Sequence, residues 1–114
     1  MKKNKKVICV DLDGTLCSIS KGDYFKAKPK IKAIKKVNNL YMKGNKIIIF
    51  TARFMGRNND SISKAKKAGH SLTLKQLKKW KLKFHKLIMG KPSYDILIDD
   101  KAFGYSKRWY YKNF

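Results

Sequence analysis

The first apolar run of the chain, from Val7 to Val10, stops at a pair of acidic residues. A short run of this kind, rich in β-branched side chains, is typical of a strand buried in a sheet. Asp11 and Asp13 follow the run one residue apart, and Gly14, which permits a sharp turn, comes next. Because open α/β sheets bind ligands at the carboxyl ends of their strands, these carboxylates indicate a functional site at that edge.

A strand, a helix and a second strand then follow one another. After a loop over 14–28, Pro29 suits the first turn of a helix, and apolar residues recur at helical spacing up to Gly44. The run Ile47–Phe50 predicts a second strand, and Phe84–Met89 predicts a third. Strands joined through a helix pair in parallel with a right-handed crossover. The sequence therefore predicts an α/β fold with a mainly parallel sheet, and a length of 114 residues fits one domain.

Two short helices are predicted between the second and third strands. One covers 60–68 and ends at Gly69, a residue type common just after helices. The other begins at Thr73, which forms with Gln76 the spacing of a capping box.

A second acidic pair, Asp99 and Asp100, follows another apolar run. This run predicts a fourth strand that begins at Tyr94 or Asp95 and ends at Ile98. All seven acidic residues are aspartates, and four of them thus lie at the ends of apolar strands. Burying an ionised group there costs free energy unless it is paired or has a functional role. We expect the two pairs, far apart in sequence, to lie close together in space.

The net charge of +22 is the main compositional anomaly. It is compatible with nucleic acid, a membrane surface or anionic metabolites as partners. Only three of the 29 basic residues are arginine, the residue that phosphate and base recognition favours, and the lysines are spread along the chain. We therefore interpret most of the charge as a solvated surface that concentrates phosphorylated substrates, and nucleic acid as a less favoured partner.

The sequence also bounds the compartment. It has no apolar run of the ~18 residues needed for a membrane span, and the basic stretch Met1–Lys6 precedes an apolar run too short for a signal peptide. We expect a cytoplasmic protein in which Cys9 and Cys17 are reduced, partly buried thiols. The aromatic, basic segment from Ala102 is expected to pack over a sheet edge, with an oligomer contact or base binding as alternatives.

Four motifs, in order along the chain, resemble those of the haloacid dehalogenase superfamily. They are Asp11-Leu12-Asp13-Gly14-Thr15, Thr51 after the second strand, Lys91, and Asp99-Asp100 after the fourth strand. The resemblance implies a Rossmann-like, three-layer α/β/α fold with the strands ordered fourth, first, second, third. Since the loop after Asp13 and the stretch from Thr51 to Lys91 are too short for a cap domain, this chain resembles the capless members.

The resemblance implies a magnesium-dependent phosphatase that forms an aspartyl-phosphate intermediate. Asp11 would attack the phosphorus, and Asp13 would act as general acid and then base. Thr51 would bind a phosphate oxygen, and Lys91 would neutralise charge on the nucleophile and the transferred group. The presence of Asp13 argues against a dehalogenase, since members that act on carbon–halogen bonds lack this second aspartate.

The same resemblance assigns the metal and substrate contacts. Mg²⁺ prefers oxygen ligands in octahedral geometry and keeps several waters. Side-chain oxygens of Asp11 and Asp99 and the backbone carbonyl of Asp13 would bind it, with Asp100 acting through water or orienting a ligand. The substrate-binding residues are predicted to be Gly14, Thr15, Ala52 and Arg53.

The substrate class rests on analogy alone. Small bacterial proteins with a similar layout, including the arginine after Thr51, a Thr-x-x-Gln-Leu helix and the Ile-Asp-Asp-Lys-Ala sequence, are linked to capsule or lipopolysaccharide sugar pathways. This favours a sugar phosphate or similar small phosphorylated metabolite. Two alternatives stay open: a phosphatase for nucleic-acid ends, and a non-catalytic basic module that binds nucleic acid. Capless members often use a neighbouring subunit as a lid, so a homo-oligomer is a further expectation.

Overall fold

Three parallel strands form the centre of the protein, in the order of the chain. In the computed structural model, which describes residues 5–114, β1 spans Val7–Val10, β2 spans Lys46–Thr51 and β3 spans Lys86–Met89. The sheet order is β1-β2-β3, and both pairings are parallel, as predicted. Residues 1–4 lie outside the described residues. They include most of the basic stretch Met1–Lys6 on which the prediction of no signal peptide rests.

The crossover helix between β1 and β2 forms where the apolar periodicity predicts it. This helix, α1, spans Ile31–Met42 and buries Ala33, Ile34, Val37 and Leu40 along one stripe. Gly44 lies just past the end of the helix. Its φ of +98° is unfavourable for residues with a Cβ, and its N–H donates to the Tyr41 carbonyl.

The second crossover helix, α2, is continuous from Ile62 to Lys79, so the prediction of two short helices was wrong. Gly69 lies inside this helix, at the point where the ring of Phe54 approaches the helix backbone. A Cβ at this position would lie 2.1 Å from Cδ2 of Phe54. Thr73 is a buried mid-helix residue, and the N-cap is Ser61, whose Oγ accepts a hydrogen bond from the Lys64 N–H at 3.3 Å.

Both helices pack on the same face of the sheet. Right-handed crossovers in the order β1-β2-β3 place successive helices on one side, and Ile47 and Ile49 are fully buried beneath them. The register puts Cys9, Ile48 and Ile88 on or beside the opposite face, where Cys9 and Ile88 are exposed. The Rossmann-like α/β fold without a cap is thus observed, whereas the three-layer arrangement is not confirmed.

The predicted fourth strand is absent from the described chain. Every residue from 92 to 108 is exposed, and Ile96 and Ile98 keep 79% and 94% of their surface in solvent. The reason lies in the connection: only six residues separate Met89 from Ile96. A return to the start of a parallel strand takes about a dozen residues or more, which this connection does not provide.

The aromatic C-terminal segment packs against α1 and the loop after β1, and not over a sheet edge as predicted. Trp109 is buried in the main core, and its indole N–H points to the Thr15 carbonyl at 3.4 Å. The Tyr111 hydroxyl lies 3.0 Å from Nζ of Lys32 on α1. Across residues 5–114, no helix combines the length and the apolar character that a bilayer span requires.

Candidate active site

A cleft of ≈ 420 Å³ opens at the carboxyl edge of the sheet, where the loops after β1, β2 and β3 meet. Asp11 and Asp13 from the first loop, Thr51 from the end of β2 and Lys91 after β3 all line it. The parallel order of the strands brings these residues together, because each follows a strand that ends at the same edge. The predicted convergence of the first three motifs is therefore observed.

Lys91 contacts Asp11 directly. Its Nζ lies 3.1 Å from Oδ1 of Asp11, and the Thr15 hydroxyl donates to Oδ2 of the same carboxylate at 3.3 Å. The backbone N–H of Lys91 donates to the Thr51 carbonyl at 3.1 Å, which fixes the loop after β3 to the end of β2. Burial acts to lower the pKa of Lys91, but its contacts with Tyr94 and Asp11 outweigh burial and leave that pKa above the ordinary value of 10.5. The ammonium group therefore stays charged at neutral pH.

Asp13 is bound by Arg53 through two parallel hydrogen bonds. Nε of Arg53 donates to Oδ2 at 2.8 Å, and Nη2 donates to Oδ1 at 2.9 Å. The Cys17 thiol lies 3.3 Å from Oδ1. Burial, followed by the charge of Asp13, raises the pKa of Cys17 to about 12, so the thiol stays protonated and can donate. The carboxylate is thus held in one orientation at the cleft wall.

The guanidinium of Arg53 lies inside the protein with no exposed side-chain surface. Its Nη1 donates to Oε1 of Gln76 on α2 at 2.6 Å, and its Cζ lies 4.7 Å from the ring centroid of Tyr24. Nε2 of Gln76 in turn donates to the Tyr24 carbonyl at 2.7 Å. Arg53, which was predicted to bind substrate, lines the cleft, and the hydrogen bonds that the structure shows for its guanidinium go to Asp13, Gln76 and Cys17.

Sequence reasoning missed Tyr24 and Gln76. Gln76 had been assigned to a capping box, and the continuity of α2 removes that role. It lies one turn beyond the buried Thr73, on the side of the helix that reaches the cleft wall. The signal that could have identified it is a polar residue within the apolar stripe of a helix.

The hydroxyl of Thr51 forms part of the cleft floor. The residue is only 1% exposed, and its Oγ1 accepts the backbone N–H of Arg53 at 3.1 Å. The hydroxyl proton is therefore left to donate into the cleft, while Ala52 contributes to the lining. The N–H groups of Gly14 and Thr15, predicted to contact substrate, donate instead to carbonyls within their own turn, at 2.8 and 3.1 Å.

Ser20 and Lys21, on the loop after β1, also line the cleft and were missed by sequence reasoning. The Oγ of Ser20 is buried and has no hydrogen-bond partner within residues 5–114. Lys21 adopts a φ of +53° and is followed by Gly22 at +91°, a left-handed turn at the cleft rim. With Lys91, the cleft thus offers two lysines, and the hydroxyl groups of Ser20 and Thr51 are among those that line it. Ammonium and hydroxyl donors of this kind suit an anion.

The second acidic pair does not reach the cleft. Asp99 is exposed, and its Oδ1 accepts the N–H of Lys101 at 2.9 Å, while Asp100 is likewise exposed. No group of three potential metal ligands is assembled anywhere in the described part of the chain. The predicted magnesium set of Asp11, Asp13 and Asp99 is therefore not brought together in one chain. Of that set, Asp11 and Asp13 line the cleft, and Asp99 lies outside it. Because Mg²⁺ is commonly held by one or two carboxylates together with waters, the two aspartates fit part of a magnesium site.

A scan against protein-family models finds no match for this chain, and a search of curated proteins finds none either. Among solved structures, the chain is similar to a structural-genomics crystal structure from Vibrio cholerae. The two chains are 29% identical, the match covers 88% of this chain and 83% of the other, and the TM-score is 0.79. No activity is named for that protein. The likeness therefore establishes a shared fold, in which the arrangement of strands and crossover helices described above recurs.

Proposed function

We propose that this protein is a phosphomonoester hydrolase whose nucleophile is Asp11. The observation that carries the proposal is the pairing of a partly exposed carboxylate with a mostly buried lysine at the carboxyl edge of a parallel sheet. The side chain of Asp11 is 35% exposed, whereas that of Lys91 is 14% exposed. The nearby hydroxyl of Thr51 and the resemblance of the motifs to haloacid dehalogenase phosphatases add support.

The groups of the cleft suit the first half of the reaction. An oxygen of Asp11 attacks the phosphorus, the bond to the leaving alkoxide breaks, and an aspartyl phosphate forms. Lys91 reduces the repulsion between the carboxylate and the dianionic phosphate, and Thr51 donates a hydrogen bond to a phosphoryl oxygen. In the second half, water attacks the phosphorus, inorganic phosphate leaves and the Asp11 carboxylate is restored. The proposed cofactor, Mg²⁺, would offset further negative charge, although one chain does not supply its full ligand set.

Asp13 is the proposed general acid and base for the two halves. It lies two residues after the nucleophile and lines the same cleft. In its protonated form, Asp13 would give a proton to the departing alkoxide, and the carboxylate left behind would then take a proton from the attacking water. The two hydrogen bonds from Arg53 fix its orientation, so Arg53 acts as a positioning residue in this proposal.

The proposed substrate is a small phosphorylated metabolite, a sugar phosphate by analogy. A second hollow of ≈ 480 Å³ adjoins the cleft through Lys21, Gly22 and Tyr24, and has room for the organic part of such a molecule. The net charge of +22 favours a second candidate, a phosphatase for nucleic-acid ends, with non-catalytic nucleic-acid binding as a third. We place the protein in the cytoplasm, where its free thiols Cys9 and Cys17 would stay reduced.

The proposal is tested by measuring phosphate release from a panel of sugar phosphates, nucleotides and 5′- or 3′-phosphorylated oligonucleotides, with magnesium and with EDTA. We expect release from the wild type with magnesium only, and none from Asp11→Asn. Asp60→Asn is the matched control, since Asp60 is an exposed acid that does not line the cleft. Release that persists in Asp11→Asn would contradict the nucleophile assignment. A steep loss of activity with added salt would favour oligonucleotide substrates over small ones.

A further inference from the structure

The exposed segment between Pro92 and Arg108 contains an apolar run that no part of its own chain covers. Ile96, Leu97 and Ile98 are 79%, 53% and 94% exposed. Three consecutive exposed apolar residues, two of them β-branched, form the sequence of a strand and are costly to leave in water. The run ends at Asp99 just as the β1 run ends at Asp11.

The sheet has a free edge that suits such a strand. β1 is an edge strand of the three-stranded sheet that residues 5–114 form. Val7 is 67% exposed and Cys9 is exposed, although a first strand of this type is normally covered on both sides. An exposed apolar edge strand is a template for pairing with a further strand.

The segment cannot reach this edge in parallel orientation within its own chain. Lys91 is fixed at the carboxyl edge by its contacts with Thr51 and Asp11, which leaves four residues before Ile96. A parallel crossover requires about ten to twelve residues or more. A connection this short allows only an antiparallel hairpin on β3, and that hairpin would carry Asp99 to the opposite edge, away from Asp11.

We propose that residues 95–98 of a second copy of this chain add to β1 as a parallel fourth strand, and that two copies exchange these segments reciprocally. Pairing Ile98 with Val10 places Asp99 of one copy beside Asp11 of the other. Each cleft then gains the carboxylate that its own chain does not supply. The strand exchange stands on the geometry alone, whereas the role of Asp99 in the completed site rests on the proposed function.

Charge supports this occupant. Residues 94–100 carry Asp95, Asp99 and Asp100 and no basic residue, in a chain of net charge +22. In the proposed register, Asp95 lies at the amino end of β1, where Lys6 and the Lys46 paired with Val7 are exposed. The acidic segment is therefore complementary to the lysine-rich surface of a second copy, even though the two chains as wholes repel each other.

The strand exchange is tested by molar mass. We expect light scattering to give twice 13.3 kDa for the wild type and 13.3 kDa for the double variant Ile96→Asp/Ile98→Asp. The matched control is Ile31→Asp/Met42→Asp, which places the same charges on exposed apolar positions of α1 and should stay dimeric. Protection of β1 amides from hydrogen exchange in the wild type, lost in the first variant, would locate the contact. A monomeric wild type would overturn the proposal.

The shared site is tested by mixing two inactive chains, Asp11→Asn and Asp99→Asn, through joint refolding. In an exchanged dimer, one site of each mixed pair combines the intact Asp11 of one chain with the intact Asp99 of the other. Random pairing makes half of the dimers mixed, so about a quarter of the wild-type phosphatase activity should return. If each chain used its own Asp99, no activity would return. Dimers without any phosphatase activity would instead refute the proposed function and leave the exchange intact.

Discussion

Arg53 and Asp13 form a two-point ion pair in which the arginine side chain has no exposed surface and the aspartate side chain is 22% exposed. The pair joins the loop after β2 to the loop after β1, and Gln76 extends it to α2. Bidentate pairs of this kind fix direction as well as distance. The wall of the cleft is therefore held rigid by a group that takes no part in the proposed chemistry.

Removing the acidic partner should destabilise the fold. In Asp13→Asn, the buried guanidinium of Arg53 loses its counter-charge, and we expect the free energy of unfolding to fall by about 3 kcal/mol, as for other broken buried pairs. Asp11→Asn should cost clearly less, because Asp11 and Lys91 are both partly exposed. Urea denaturation at one fixed protein concentration measures both, with Asp60→Asn as the control. Equal losses in the two variants would show that the Arg53 pair is not the dominant contact.

Lys91→Met should reduce catalysis while leaving the fold intact. Loss of one charged donor from a preorganised site typically lowers kcat by about 100- to 1000-fold, and we expect a fall in this range in kcat/KM for the preferred phosphomonoester. Lys86→Met is the matched control, because Lys86 is an exposed lysine on β3, the strand that precedes Lys91. A Lys91→Met enzyme with unchanged kcat/KM would remove Lys91 from the mechanism.

The buried thiol of Cys17 should make stability fall at alkaline pH. Burial raises the pKa of Cys17 from 9.0 to about 12. Between these values the unfolded chain releases the proton and the native protein keeps it. The free energy of unfolding therefore falls by about 1.4 kcal/mol per pH unit. Below pH 9.0 the contribution is constant. Urea denaturation of the wild type at about pH 9 and pH 10 should therefore show a loss of about 1 kcal/mol, because the slope is only half developed at the unfolded-state pKa, and Cys17→Ala should lack this loss. Parallel pH profiles for the two proteins would contradict the assignment.

Gly69→Ala should destabilise the protein, although helix propensity alone would predict a gain of about 1 kcal/mol. The new Cβ would overlap the ring of Phe54, which is close enough that the ring or α2 must move. Thermal unfolding measures the change, and Gly69→Ala combined with Phe54→Ala provides the control. Relative to Phe54→Ala alone, the added alanine should stabilise the protein, since the ring that opposes it is gone. A stabilising Gly69→Ala in the wild-type background would show that the ring adapts freely.

Local patterns in the sequence determined the elements around the site. Apolar runs predicted β1, β2 and β3, because a short apolar run is a signal of a buried strand that can be recognised without knowing its partners. The apolar periodicity after Pro29 predicted α1 in the same way. The same patterns located Asp11, Thr51 and Lys91 at the carboxyl ends of parallel strands. Since such ends meet at one edge of the sheet, their convergence followed from order along the chain alone.

Contacts between distant residues decided the rest. The local preference of glycine predicted a helix end at Gly69. In the structure, Gly69 lies inside the continuous α2, where the ring of Phe54 packs against it. Arg53 had the chemistry to bind a substrate, yet Asp13 and Gln76 occupy its donors. Ile96 to Ile98 had the composition of a strand, but the short connection from β3 denies them a place in the sheet of their own chain. Each outcome depends on which groups lie close in space and how much chain joins them, and local sequence preference carries neither.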